Sequence, residues 1–282
     1  MKTLLVPVDS SAAAENTVNV SAEWAKRYEY DRIILLRTYY ETLFDDVFVS
    51  LEYSSVSCDY KTKEREEATA RLVEYAEQLK EKVAPTLKIE AQTSELPLIR
   101  AIVDVINEEE VETVMVGSDP DEELNDNLVS GNIITIGRTS PVKVVIIPSN
   151  YTYRPIQTVL VPCDMYVIEP VERIRSVRGS RLWNDAEFKV LNVDPKGMHL
   201  NKDKRFLLAE DQLHEVLKNV NHTIYYSNEK NIVDGILSFL EENAVDLILA
   251  LPGKHSFLYS LTHRSISEAI YRMAHQPVLI LK

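Results

Sequence analysis

Carboxylates, glycines and basic side chains fall at three kinds of place along this chain, and each permits a different chemistry. Asp9 and Asp164 close the apolar runs Leu4-Leu5-Val6-Pro7-Val8 and Val159-Leu160-Val161-Pro162-Cys163. A carboxylate at the end of a strand can act as a base, but its commoner use is to cap the following helix, worth about 0.5–2 kcal/mol. Gly117 opens a segment that carries Asp119, Asp121, Glu122, Glu123 and Asp126 and ends at Ser130-Gly131. Those carboxylates can attract Mg²⁺ or Ca²⁺; their spacing is not that of an EF-hand loop, and a solvated acidic loop is the plainer reading. Lys254, His255, His263 and Arg264, with Ser265 following, can hold an anion by side chains. The plainer reading is again a solvated loop, with Arg264 as a surface charge at a helix end. All six histidines lie in the second half, and His199, His214, His222 and His275 lack the spacing of a metal-binding helix. No nucleophile and base can be paired from the sequence, so neither a catalytic residue nor a metal site is expected.

The elements that must position these residues occur twice. Leu4 to Asp9 returns as Val159 to Asp164, 155 positions later, and Val144 to Ile147 returns as Val278 to Leu281, 134 positions later. A repeat of this length implies two complete folding units, with boundaries expected at 1–149 and 155–282. Within the first copy, apolar strands at Thr3–Val8, Ile33–Leu36, Leu87–Ala91, Val111–Val116 and Lys143–Ile147 alternate with amphipathic helices near Ala12–Tyr28, Lys61–Val83 and Pro97–Asn107. The second copy repeats the order with strands at Val159–Cys163, Phe188–Val193, Thr223–Tyr226, Asp246–Leu251 and Val278–Leu281. The fold class is therefore α/β: two copies of a five-stranded, mainly parallel open sheet with helices on both faces. The second copy is 21 residues shorter between its second and third strands, which places an insertion at about 39–60 in the first. Its aromatics read as packing a long loop onto its own domain. The prolines at 148 and 155 bracket a short ordered linker.

Composition narrows the partners. A net charge of −13 over 282 residues repels nucleic acid and anionic membrane, and no run of apolar residues is long enough to span a bilayer. The start of the chain reads as a strand and not as a targeting segment, which places the protein in the cytoplasm. With only Cys58 and Cys163 present, both are expected as free thiols. The final strand of each copy is apolar and terminal, so each leaves an edge that needs cover. Pairing the two edges would make the chain a covalent pseudo-dimer, with a further homodimer open to it.

The opening Leu5-Val6-Pro7-Val8-Asp9, the strand Asp246-Leu247-Ile248-Leu249 and the ending Arg264 to Ile270 leading to Gln276-Pro277-Val278-Leu279-Ile280 together resemble the universal stress proteins of the UspA type, in tandem two-domain form. The resemblance implies an adenine-nucleotide alpha-hydrolase-like fold and a non-enzymatic role in stress tolerance through contacts with a protein partner. Nucleotide-binding members carry Gly-x2-Gly-x9-Gly-Ser/Thr after strand four, where backbone N–H groups and a helix N-terminus meet the phosphates. Here Gly117 matches the first glycine, Pro120 stands at the second, and Ser130-Gly131 reverses the last pair. In the second copy Leu251, Lys254 and Arg264 replace the three glycines and Ser265 remains. The family pattern puts Asp9 and Asp164 near a ribose or phosphate. By this resemblance Asp9, Gly117, Ser130, Gly131, Asp164, Lys254, Arg264 and Ser265 are the candidate nucleotide- or anion-binding residues. No cofactor is expected, with ATP or another anion, bound at one degenerate site and at most slowly hydrolysed, as the alternative.

Overall fold

The computed structural model describes residues 1–39, 54–119, 132–165, 173–177, 180, 184–251 and 275–282, with the side chains of 54–64, 175 and 176 set aside. It divides into two compact units, 1–142 and 143–282.

In the first unit, β1 (Thr3–Pro7), β2 (Arg32–Thr38), β3 (Lys88–Ser94) and β4 (Val111–Ser118) lie in the order β3-β2-β1-β4. All three pairings are parallel. The five residues of β1 and the first five of β2 are buried without alternation, as expected of strands covered on both sides. β3 has a polar, half-exposed sequence, suited to a strand paired only with β2 in this unit. Helix α1 (Ala12–Arg27) starts where Ser11 accepts a hydrogen bond from the Ala14 N–H, and it carries Glu15 in its first turn and Lys26 and Arg27 in its last, all favourable to the helix dipole. Helix α2 (Ser54–Lys82) begins seven residues before the sequence-based start at Lys61, and it buries the apolar stripe of Leu72, Ala76 and Leu79. Of the 39–60 insertion, 40–53 lies outside the described residues. Helix α3 (Leu98–Glu108) buries Leu98, Ala101, Ile102, Val105 and Ile106, and α4 (Ile133–Thr139) follows.

The second unit opens with β5 (Lys143–Pro148), then β6 (Thr158–Cys163), β7 (Glu187–Val193), α5 (Lys204–Val216), β8 (His222–Ser227), α6 (Ile232–Glu242), β9 (Leu247–Ala250) and β10 (Val278–Ile280). Their order is β5-β10-β9-β6-β7-β8. Every pairing is parallel except β5 with β10, which run antiparallel with Val278 opposite Ile146 and Ile280 opposite Val144. The terminal strands of the two sequence copies thus cover one another's edge, as their apolar character requires. The 148–155 linker is ordered: Tyr151 is buried, its N–H donates to the Pro148 carbonyl, and Arg154 Nε lies 3.0 Å from Asp246 Oδ1.

Candidate functional site

At the carboxyl end of β1, Asp9 is buried and accepts hydrogen bonds from the Ser11 N–H at 3.0 Å and the Ser11 hydroxyl at 2.5 Å. The hydroxyl oxygen in turn accepts from the Ala14 N–H at 3.1 Å. Ser11 is therefore the cap of α1 and Asp9 orients it, which corrects the expectation that the carboxylate caps the helix directly. Asp9 spans two residues to Ser11, and the shorter side chain then reaches the backbone.

Gly117 lies one residue before the end of β4, against α1. A Cβ there would stand 2.6 Å from both the Ala13 carbonyl oxygen and Thr17 Oγ1, far inside contact distance. The close approach of α1 to β4 is enough to require glycine, without any phosphate. Ser130, Gly131, Lys254, Arg264 and Ser265 lie outside the described residues, as does Pro120.

The equivalent edge of the second copy is open. A cleft of 380 Å³ lies at the carboxyl ends of β6 and β7 and the entry to α6, lined by Cys163, Asp164, Asn192, Asp194, Lys196 and Lys230 among others. Open parallel sheets bind ligands at such an edge. Asn192 Nδ2 donates to the Cys163 carbonyl at 3.2 Å, tying the two strand ends together. Asp194 is held more firmly: it accepts from the Lys196 N–H, the His199 N–H and His199 Nδ1 at 3.2, 2.8 and 2.9 Å. A carboxylate only accepts, so His199 Nδ1 carries the proton. Burial alone would raise the Asp194 pKa, and these bonds outweigh it, holding the carboxyl below its usual value. Cys163 is half-buried, and desolvation with Asp164 nearby pushes its thiol up to about 12. A thiol raised this far stays protonated at neutral pH.

Behind Asp194, the His199 ring stacks on Tyr226 at 5.0 Å with the planes 4° apart. The Tyr226 hydroxyl donates to Glu210 at 2.5 Å, and Lys202 donates to both Glu210 oxygens at 2.7 and 2.9 Å. Burial and Glu210 raise the Tyr226 pKa, while Lys202 and Tyr226 overcome desolvation to lower that of Glu210. Among the described residues, no group of three or more His, Cys, Asp or Glu side chains is placed to hold a metal ion, and no helix is long and apolar enough to cross a membrane.

Of the sequence-based candidates among the described residues, only Asp164 lines this cleft. Asn192, Asp194, Lys196 and Lys230 were missed, because they belong to strand ends and loops that carry no motif. The 155-residue offset, which maps Asn192 onto Arg37, was the one available signal.

The family model described as "Universal stress protein family" matches residues 1–148. The chain belongs to the universal stress protein family. A universal stress protein from Archaeoglobus fulgidus is similar over 99% of this chain and 96% of its own, at 16% identity and a TM-score of 0.64. A Pseudomonas aeruginosa structure assigned to the same family is similar over 100% of this chain and 92% of its own, at 14% identity and a TM-score of 0.54. A functionally unknown protein from Pseudomonas aeruginosa PAO1 covers the same shares at 14% identity and a TM-score of 0.51. These full-length likenesses establish the fold and the tandem form. No curated protein matches the chain.

Proposed function

We propose that this tandem universal stress protein is a cytoplasmic, non-enzymatic module that supports stress tolerance through contacts with another protein. The observation that carries this reading is the use, for folding, of the two candidate binding positions of the first copy that lie among the described residues. Asp9 is engaged with the Ser11 cap, and Gly117 is required by the approach of α1. Neither is left needing a ligand to explain it.

A second reading, nucleotide binding by the second copy, has its own support in the 380 Å³ cleft with Asp164 at its wall and Lys196 and Lys230 on its rim. Isothermal titration of the full chain with Mg-ATP separates the two. The first reading expects a dissociation constant weaker than about 100 μM, no more than roughly 5.5 kcal/mol of binding. A one-to-one isotherm in the low micromolar range would replace it with the second, and Asp164→Ala would then weaken that binding.

A further inference from the structure

The duplication supplies a comparison of one position in two settings. Leu36 pairs with Pro7 in the first copy as Leu191 pairs with Pro162 in the second, so the next residues, Arg37 and Asn192, occupy equivalent places at the carboxyl edge. They make equivalent contacts too. Arg37 Nη1 donates to the Val8 carbonyl at 3.4 Å, and Asn192 Nδ2 donates to the Cys163 carbonyl, 155 positions on from Val8. The difference is charge and reach. Arg37 Nη2 extends to the Ser10 hydroxyl at 3.1 Å, and its Nε is buried without an acceptor.

We propose that Arg37 makes the carboxyl edge of β1 and β2 a site for a small oxyanion, of the phosphate or carboxylate class. The guanidinium is charged at every physiological pH and presents a planar fork of donors matched to two oxygens. Here it is half-buried, and both of its hydrogen bonds end on neutral oxygens, one of them at the limit of hydrogen-bond length. Charged groups taken out of water are ordinarily paired, and a buried donor left without an acceptor costs free energy. An oxyanion beside Arg37 supplies the missing charge and meets the Nη atoms, whose present acceptors are neutral.

Two neighbours add to the attraction. Ser10 is exposed and its hydroxyl can donate, and the next residue, Ser11, caps the 16-residue helix α1, whose N-terminal end favours negative charge. One neighbour opposes it: the Asp9 carboxylate lies close by in the chain, where it accepts hydrogen bonds from Ser11. The balance sets a modest affinity, a dissociation constant of about 1 mM. In the second copy Asn192 makes the same strand-to-strand bond with no charge, so the two copies differ in the class of ligand they accept. The site does not depend on whether the second copy takes a nucleotide.

Thermal unfolding of the full chain in sodium phosphate, sodium acetate or sodium chloride, at constant ionic strength and pH 7.5, tests this. At 10 mM phosphate the folded-to-unfolded ratio should rise about tenfold over chloride, a midpoint shift of roughly 3 °C. An equal shift in acetate assigns the carboxylate class as well; a shift in phosphate alone confines the site to phosphate. Arg37→Asn, which installs the second copy's residue, should abolish the shift. If that variant does not fold, Arg37→Lys decides, since it keeps the charge and loses the fork: a binding constant at least threefold weaker supports the site. No excess shift in the parent, or a variant whose shift equals the parent's, overturns it and leaves Arg37 as a brace between two strand ends.

Discussion

A methyl group at position 117 would meet the Ala13 carbonyl oxygen at 2.6 Å, and a backbone atom in a helix cannot rotate away as a side chain can. Gly117→Ala must therefore push α1 off β4. Overpacking of this kind costs about 1–3 kcal/mol, and urea unfolding should register that loss equally with and without Mg-ATP. A loss seen only with nucleotide present would return Gly117 to a ligand-binding role. Asp194 sets a pH dependence. Its folded-state pKa is depressed, so its contribution is present above the ordinary value of 3.8 and is lost as the pH falls through the lower folded value. The stability difference between the parent and Asp194→Asn should accordingly be full at pH 6 and shrink below about pH 4. A difference constant from pH 7 to pH 3.5 would show that the carboxylate's charge is immaterial. At this scale the sequence was only partly legible. Asp9, Gly117 and Asp164 stand out because strand ends and glycines are visible in one dimension. Asp194 and His199 become a unit only when the chain turns after β7, at Gly197 with its φ of 64°.

Elements were more legible, since an apolar run has a length and a boundary. β1 lies within its unbroken apolar stretch, whereas β2, β3, β4, β6 and β8 each extend by one to three residues beyond theirs. Backbone pairing continues past the point where side chains are apolar: Arg32 pairs with Thr3, and its guanidinium is satisfied by Glu109 and Glu90. The start of α1 depends on one hydroxyl. Ser11→Ala removes both the acceptor for the Ala14 N–H and a hydrogen-bond donor to the buried Asp9. The expected loss lies at the upper end of the 0.5–2 kcal/mol range for caps, because a buried carboxylate also loses a partner. Ser11→Asp, which restores the cap but sets a second carboxylate beside Asp9, should recover less than half of it. Urea unfolding of the three proteins at pH 7 measures this; full recovery would mean that Asp9 does not sense its neighbour's charge.

For the whole chain, the division that the sequence suggests and the division that the contacts make differ at β5. The family model ends at 148 and so assigns β5 to the first copy, while the compact units divide between Val142 and Lys143. The physical reason is β10, which pairs antiparallel with β5 and has Val278, Leu279 and Ile280 buried. A fragment comprising 1–148 retains β5 but has no β10, so the edge bearing Val144 to Ile147 lacks its partner. An unpartnered apolar edge recruits another strand, and the commonest one available is a second copy of itself. The fragment should therefore associate at micromolar concentration, whereas 143–282 keeps the pairing and should not associate through this edge. Val145→Lys in the 1–148 fragment puts a charge at the position opposite Leu279 and should return it to a monomer. Sedimentation velocity between 5 and 100 μM decides between these outcomes: a 1–148 fragment that stays monomeric throughout, with circular dichroism showing it folded, would mean that β5 needs no strand beside it, and that the joining of two copies in one chain serves some purpose other than covering this edge.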